Sequence, residues 1–178
     1  MRTLTNLITL RDSRPDDWAA LASLYPQAFP DEQLLPLVQA LLDQVPGILS
    51  LVGILDAQVI AHGLFTPGSV SGRSGEAALL GPLAVSPTYQ RQGAGSALVH
   101  GALQRLEAGG VRQVFVLGDP SYYRRFGFRP EAAVAPPYPL PADWIGAWQS
   151  LALGDAAPLG SGSLALPRPW LEPALWAP

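Results

Sequence analysis

The 178-residue chain contains no cysteine. Disulfides, thiolate nucleophiles and cysteine-ligated zinc are therefore excluded. Lysine is missing too, since all 11 basic residues are arginines. A standard nucleotide-triphosphate P-loop needs its lysine, and a pyridoxal-phosphate enzyme needs one for its Schiff base, so both classes fall away. His62 and His100 are the only histidines, too few for a His-rich metal site, and no metal is expected. Charged residues make up 14% of the chain and the net charge is −3, without the basic surplus of a nucleic-acid binder. No apolar run reaches the roughly 18 residues that a membrane span requires. The stretch from Met1 to Asp17 meets charged residues too early for a secretory signal. What remains is a soluble cytoplasmic protein, whose 48% hydrophobic residues suffice for one substantial core.

Several segments carry clear local signals. Leu7–Leu10 reads as a short first strand. Pro15-Asp16-Asp17 opens a helix on which Trp18, Leu21, Leu24 and Tyr25 recur at helical spacing. Pro30-Asp31-Glu32 repeats that start for a second helix with a core-facing stripe from Leu34 to Leu42, and Pro46-Gly47 ends it. Ile48–Leu55 and Gln58–Phe65 read as strands joined by a tight Asp56-Ala57 hairpin. Residues 66–76 form a turn-rich loop. Ala77–Val85 is the fourth strand, interrupted at Gly81-Pro82, where proline removes a ladder donor. Ala94–Ala108 is a helix closed by Gly109-Gly110, Gln113–Leu117 a fifth strand, Ser121–Phe126 a short helix and Phe128–Val134 another strand. Pro136, Pro137, Pro139 and Pro141 then mark a loop or extended arm, with Trp144–Leu153 and Ser163–Leu166 as final strands. This order gives an α/β or α+β domain with a mixed sheet rather than the strict alternation of a Rossmann sheet.

The most informative stretch is Gln90-Arg91-Gln92-Gly93-Ala94-Gly95-Ser96, between the fourth strand and the long helix. Such a turn leaves backbone N–H groups unpaired at the positive end of a helix dipole, a natural seat for a phosphate or pyrophosphate. Gly93 and Gly95 remove side chains that would keep a ligand off the backbone. The competing reading is turn chemistry alone.

Two motifs decide between them. Gln90 to Gly95 matches Gln/Arg-x-x-Gly-x-Gly/Ala at each defined position, and Tyr123 to Phe128 matches Tyr-x-x-x-Gly-Phe, preceded by Leu-Gly-Asp-Pro-Ser-Tyr from Leu117 to Tyr122. In these motifs and in element order over residues 4–135, the chain resembles the GCN5-related N-acetyltransferase (GNAT) superfamily. The resemblance implies one acetyltransferase domain over residues 1–178, with a core at 4–135 and a Pro/Trp-rich extension at 136–178 that completes the sheet or packs on the core. It implies a mostly antiparallel sheet, flanked by helices and splayed between strands four and five. Acetyl-CoA would be held by the backbone of Leu83, Ala84 and Val85 along its pantetheine. Gln90, Arg91, Gln92, Gly93, Ala94, Gly95 and Ser96 would hold its pyrophosphate.

The implied reaction is direct acetyl transfer to the amine of a small molecule or peptide, with a longer acyl-CoA or a non-catalytic CoA-binding module as the alternatives. Tyr123 is the candidate acid for the departing thiolate, since a phenol with a reference pKa near ~10 donates without being ionised at neutral pH. The resemblance implies a carboxylate base, and Asp119 is the candidate, with Glu76 the other carboxylate near the expected cleft and deprotonation through water or by bulk solvent the alternative. Asp119 equally suits the cap of the short helix, with Pro120 behind it. His62 reads as a hydrogen-bonded core histidine and His100 as a surface one. Trp144, Trp148, Trp170 and Trp176 either cover the acceptor cleft or pack the tail, whose apolar surface is also the candidate interface of a homodimer. No nucleic-acid or membrane partner is expected.

Overall fold

Pro15–Asp17 winds a 3-10 turn in which the Arg14 backbone N–H donates to Asp17 Oδ2 at 2.7 Å, and helix α1 (Trp18–Ala28) continues from it. The computed structural model describes residues 3–177, with Ser74 described by its backbone alone. The chain clusters into two units, Met1–Phe65 with Pro82–Gln104, and Thr66–Gly81 with Arg105–Pro178.

The first unit holds β1 (Thr9–Asp12), α1, α2 (Leu35–Gln44), β2 (Leu49–Leu55), the first part of β3 (Gln58–Val70), the last part of β4 (Arg73–Val85) and most of α3 (Ala94–Ala108). β1, β2 and β3 are antiparallel neighbours. Asp56 and Ala57 take φ of 48° and 63°, the left-handed pair of a two-residue hairpin, as expected. β1 starts at Thr9 rather than Leu7, because Leu4–Asn6 closes a 3-10 turn on which the Leu7 N–H donates to the Leu4 carbonyl at 2.9 Å. α2 starts at Leu35 rather than Pro30: the Glu32 N–H is spent on the Phe29 carbonyl, and Pro36 occupies the first helical turn, where its missing N–H costs nothing. The stripes bury Leu21, Leu24 and Tyr25 from α1 and Leu37, Val38 and Leu41 from α2, while Trp18, Leu34 and Leu42 at their margins are half-buried.

His62 lies in this core without solvent exposure. Its Nδ1 is hydrogen-bonded to the Tyr25 hydroxyl at 2.7 Å and its Nε2 to Ser50 Oγ at 2.8 Å. Ser50 Oγ is bonded in turn to Ser13 Oγ at 2.6 Å. Both ring nitrogens are satisfied, which is how a buried histidine is tolerated.

The second unit holds the end of β3 and the start of β4, followed by β5 (Gln113–Leu117), α4 (Pro120–Tyr123), β6 (Arg129–Pro130), β7 (Val134–Ala135), β8 (Trp148–Ala152) and β9 (Gly162–Ala165). Residues 66–76 are mostly strand, not the expected loop. Thr66, Gly68 and Val70 alternate inward, Ser69 and Val70 pair with Ala165 and Leu164, and the turn shrinks to Ser71 and Gly72 at φ of 51° and 77°. β4 and β5 run parallel, β8 is antiparallel to β5 and β6 antiparallel to β8. The expected strand at 128–134 breaks at Glu131, whose Oε2 accepts the Ala133 and Val134 N–H groups at 2.7 and 2.8 Å. β8 starts only at Trp148, because Ala142–Ala147 is a 3-10 helix.

Trp148, Trp170 and Trp176 are buried, and their rings meet with centroids 5.9 Å (Trp148 to Trp176) and 6.0 Å (Trp170 to Trp176) apart. Each indole N–H finds an acceptor: the Val134 carbonyl, Thr66 Oγ1 and the Trp170 carbonyl respectively. These tryptophans pack the second unit's core, the second of the two readings for the tail. Trp144 is half-buried. Among the described residues no helix is long and apolar enough to cross a membrane.

Burial holds the pKa of His62 down to about 4 against an ordinary 6.5, with the Asp17 charge opposing. As the pH falls, the unfolded chain takes up this proton first, so stability present above pH 6.5 is lost as the pH falls toward 4. The loss should amount to about 3 kcal/mol. Asp17, held low by the hydrogen bond from Arg11, gives up its contribution only below 3.8. Urea unfolding across the His62 window should show the loss in the wild type and not in His62→Gln. An unchanged pH dependence in that variant would place the titration elsewhere.

Candidate active site

In the first unit, β4 ends where the Ser86 N–H donates to the Ile60 carbonyl, and Pro87–Tyr89 forms a 3-10 turn. Two glutamines brace the loop that leads from this turn to α3: Gln90 Nε2 donates to the Val85 carbonyl at 3.1 Å and Gln92 Nε2 to the Thr88 carbonyl at 2.8 Å. Their side chains thus hold the loop. Arg91 and Gly93 adopt φ of 61° and 91° on either side of Gln92. For a side-chain-bearing residue such as Arg91, a left-handed conformation costs about 1–2 kcal/mol. Alternation with left-handed residues turns successive N–H groups toward one side and makes an anion-binding concavity. A Cβ at Gly93 would meet only the movable Thr5 Oγ1, so it is the φ of 91° that favours glycine there.

α3 starts directly after this loop, and the Ala97 N–H donates to the Gly93 carbonyl at 2.9 Å. The amides of Ala94, Gly95 and Ser96 precede that bond, in the first turn of the helix, where helix N–H groups are free to meet a ligand. Ala94 is fixed among Leu55, Ile60, Ile8 and Val85, which holds the helix start in place. The Arg91 side chain is exposed.

The ladder between β4 and β5 pairs Ala77–Leu80 with Gln113–Val116 and goes no further. Gly81 follows at φ 144° and Pro82 has no N–H to donate, so the interruption expected from Gly81-Pro82 marks the end of pairing rather than of the strand. Leu83, Ala84 and Val85 continue β4, with Ala84 buried and the other two half-buried. A Cβ at Gly63 would meet Leu98 Cδ2 at 2.6 Å and Leu83 Cδ1 at 3.4 Å, so the Leu83 side chain faces the first unit's core.

The tyrosine turn belongs to the second unit. Asp119 Oδ1 accepts the Ser121 N–H and the Ser121 Oγ–H, each at 2.8 Å, and Pro120 takes the first helical position. These bonds hold the exposed Asp119 carboxyl below its ordinary range. That is the geometry of a helix cap, and a carboxylate made harder to protonate is a weaker base. Glu76, the other carboxylate considered, lies 3.6 Å from Arg112 Nη1 and 3.9 Å from Arg73 Nη1.

The half-buried Tyr123 ring stands against Tyr122, Phe128 and Phe126 with centroids 5.0, 5.7 and 6.3 Å away. Its hydroxyl has no hydrogen-bond partner among the described residues, and burial pushes its pKa up, with Tyr122 and Asp119 adding. It stays protonated at neutral pH.

Two residues outside the expected site shape this turn. A Cβ at Gly118 would meet Tyr123 Cε2 at 2.5 Å, so the ring rests on bare backbone. Gln149 Nε2 donates to the Gly118 and Ala147 carbonyls at 3.0 and 3.3 Å and fixes that backbone. Gly118 sits in the Leu-Gly-Asp-Pro run ahead of the tyrosine motif, where its role as a clearance was open to inference. Gln149 lies on β8 and has no local signal. Among the described residues no cluster of three His, Cys, Asp or Glu could hold a metal.

Comparison with known proteins identifies the family. The model of the acetyltransferase (GNAT) family matches residues 17–128. The uncharacterized N-acetyltransferase YjhQ of Escherichia coli K12 is 34% identical over 110 residues, 59% of this chain and 61% of YjhQ. The chain thus spans less than two thirds of that relative's length. The uncharacterized N-acetyltransferase YhbS of the same strain is 34% identical over 120 residues, 67% of this chain and 72% of YhbS. Among solved structures, YhbS from Escherichia coli in complex with CoA superposes with a TM-score of 0.83 at 29% identity, covering 93% of this chain and 92% of its own. A GNAT family acetyltransferase from Brucella melitensis in complex with acetyl-CoA gives 0.71 at 32% identity, with coverage of 91% and 97%. The mixed, mostly antiparallel sheet expected from the sequence is the fold these neighbours share. Since the family model matches more than half of its length, the chain belongs to the acetyltransferase (GNAT) family.

Proposed function

We propose that the protein transfers an acetyl group from acetyl-CoA directly to the amine of an acceptor molecule. The observation that carries this reading is the loop at the start of α3, where left-handed Arg91 and Gly93 flank Gln92 and helix amides follow. Support comes from the relatives whose structures are complexes with CoA and acetyl-CoA. When bound, acetyl-CoA supplies an activated acetyl group as its thioester. The amides of Arg91 to Ser96 hold its pyrophosphate, and the backbone of Leu83 to Val85 holds its pantetheine in place of a neighbouring strand. With no cysteine in the chain, an acyl-cysteine intermediate is excluded.

Tyr123 is the proposed acid, holding its proton on the hydroxyl until sulfur departs. Its raised pKa keeps it protonated but makes it a poorer donor, so donation accompanies charge development on sulfur rather than preceding it. Asp119 acts through the turn it caps and positions Tyr123. The acceptor ammonium must first lose a proton, at a cost of about 4–5 kcal/mol at pH 7 for an ordinary primary amine. With Asp119 capping and Glu76 beside arginines, that proton goes to water, and turnover rises with pH. On this reading the protein works where acetyl-CoA is supplied, which we propose to be the cytoplasm.

Ser96→Glu puts a negative charge in the first turn of α3, which favours the helix itself but opposes a pyrophosphate. The variant should fold as stably as the wild type and bind acetyl-CoA about 10- to 100-fold more weakly by calorimetry. Unchanged affinity would take the loop out of the cofactor site. Tyr123→Phe should lower kcat roughly 100-fold while leaving acetyl-CoA affinity intact, measured with the best amine from a screen. Full turnover in that variant would remove Tyr123 as the acid.

A further inference from the structure

An open groove of about 760 Å³ lies in the second unit beside α4, lined by Asp119, Ser121, Arg124, Phe128, Arg129 and Gln149 among others. Its volume is that of a small-molecule site, which typically measures about 300–1,000 Å³. Gln149 is almost fully buried and tied by Nε2 to the Gly118 and Ala147 carbonyls, so one wall is rigid. Arg124 and Arg129 bring two exposed guanidinium groups to the same groove, in a chain whose net charge is −3. Neither forms a salt bridge with a described residue. Arg129 spends one N–H on the Phe128 carbonyl at 2.9 Å. The neighbouring Arg125 is used differently, stacked 4.4 Å above the Tyr122 ring. The one carboxylate at the groove, Asp119, is held charged by Ser121, with Arg124 contributing at longer range.

Two cations and one anion around an open, partly rigid groove suit a ligand that carries both signs. Arginine's planar fork binds carboxylate or phosphate through paired N–H donors, and Asp119 would tolerate an ammonium beside them. We propose that this groove binds a small zwitterionic oxyanion, an amine that bears a carboxylate or phosphate, through Arg124 and Arg129 with Asp119 beside them. The groove sits on the turn that carries Tyr123, with Arg124 the next residue in the chain.

The test is a titration of the nitrogen-15-labelled protein, saturated with CoA so that sites for the donor's own phosphates are filled. Inorganic phosphate is added while the Gln149 side-chain amide and Arg129 Nε resonances are followed. A saturable shift is expected. The exposed double variant Arg124→Ala with Arg129→Ala should bind phosphate about 10- to 100-fold more weakly and acetyl-CoA as the wild type does. Phosphoethanolamine should saturate the same resonances at lower concentration than ethanolamine. The proposal is overturned if no saturable shift occurs, if the double variant responds like the wild type, or if ethanolamine binds as well as its phosphate ester. It is equally overturned if phosphate binds only without CoA and the double variant loses acetyl-CoA affinity, which would assign the anion to the donor. Should the protein bind no CoA at all, the acetyl-transfer reading fails on its own, and the phosphate titration still reports on the groove.

Discussion

A strand inside a sheet must pair its backbone polar groups, and β4 loses one neighbour partway along its length. Its ladder with β5 ends at Leu80 and Val116, where Gly81 takes φ 144° and Pro82 offers no donor. Buried N–H and C=O groups without partners are costly, so a strand that sheds a neighbour calls for a replacement. In the proposed function the replacement is the pantetheine arm of the donor against Leu83 to Val85. The same strand then runs into the turn braced by Gln90 and Gln92, where the next backbone donors become available at the start of α3. One local interruption therefore links the fold to the chemistry read from it.

The chemistry of the tyrosine turn depends on packing more than on titration. Tyr123 lies on a glycine backbone among three aromatic rings, with its hydroxyl left unbonded among the described residues. Asp119, the nearest carboxylate in sequence, spends its oxygen on Ser121. In the proposed function Tyr123 is a proton donor without a base beside it, which suits a reaction whose amine loses its proton to solvent and whose thiolate takes the tyrosine's proton as it leaves.

Much of this was legible in the sequence where local signals agree. α3 and β5 have the limits expected from their apolar spacing and the Gly109-Gly110 stop. Asp56-Ala57 forms its hairpin despite lacking the favoured Asn-Gly pair. The glycine loop lies where the motif places it. Segments whose structure depends on distant partners were less legible. Residues 66–70 carry proline, glycine and serine, yet they extend β3 because β9 arrives to pair with them from almost a hundred residues away. Glu131 breaks a run that reads as strand because its carboxylate finds two nearby N–H groups and Ser150. The roles of Gln149 and of the tail tryptophans are likewise set by residues far along the chain, and no spacing rule announces them.

The central claim is that the loop from Gln90 to Ser96 holds the phosphates of a CoA thioester. The most direct measurement is calorimetric titration of the full chain with acetyl-CoA, CoA and ATP in parallel. The account predicts saturable micromolar binding of acetyl-CoA and CoA, with ATP binding far more weakly because it lacks the pantetheine that pairs with β4. Failure of both acetyl-CoA and CoA to bind, or binding of ATP as tight as theirs, would contradict it.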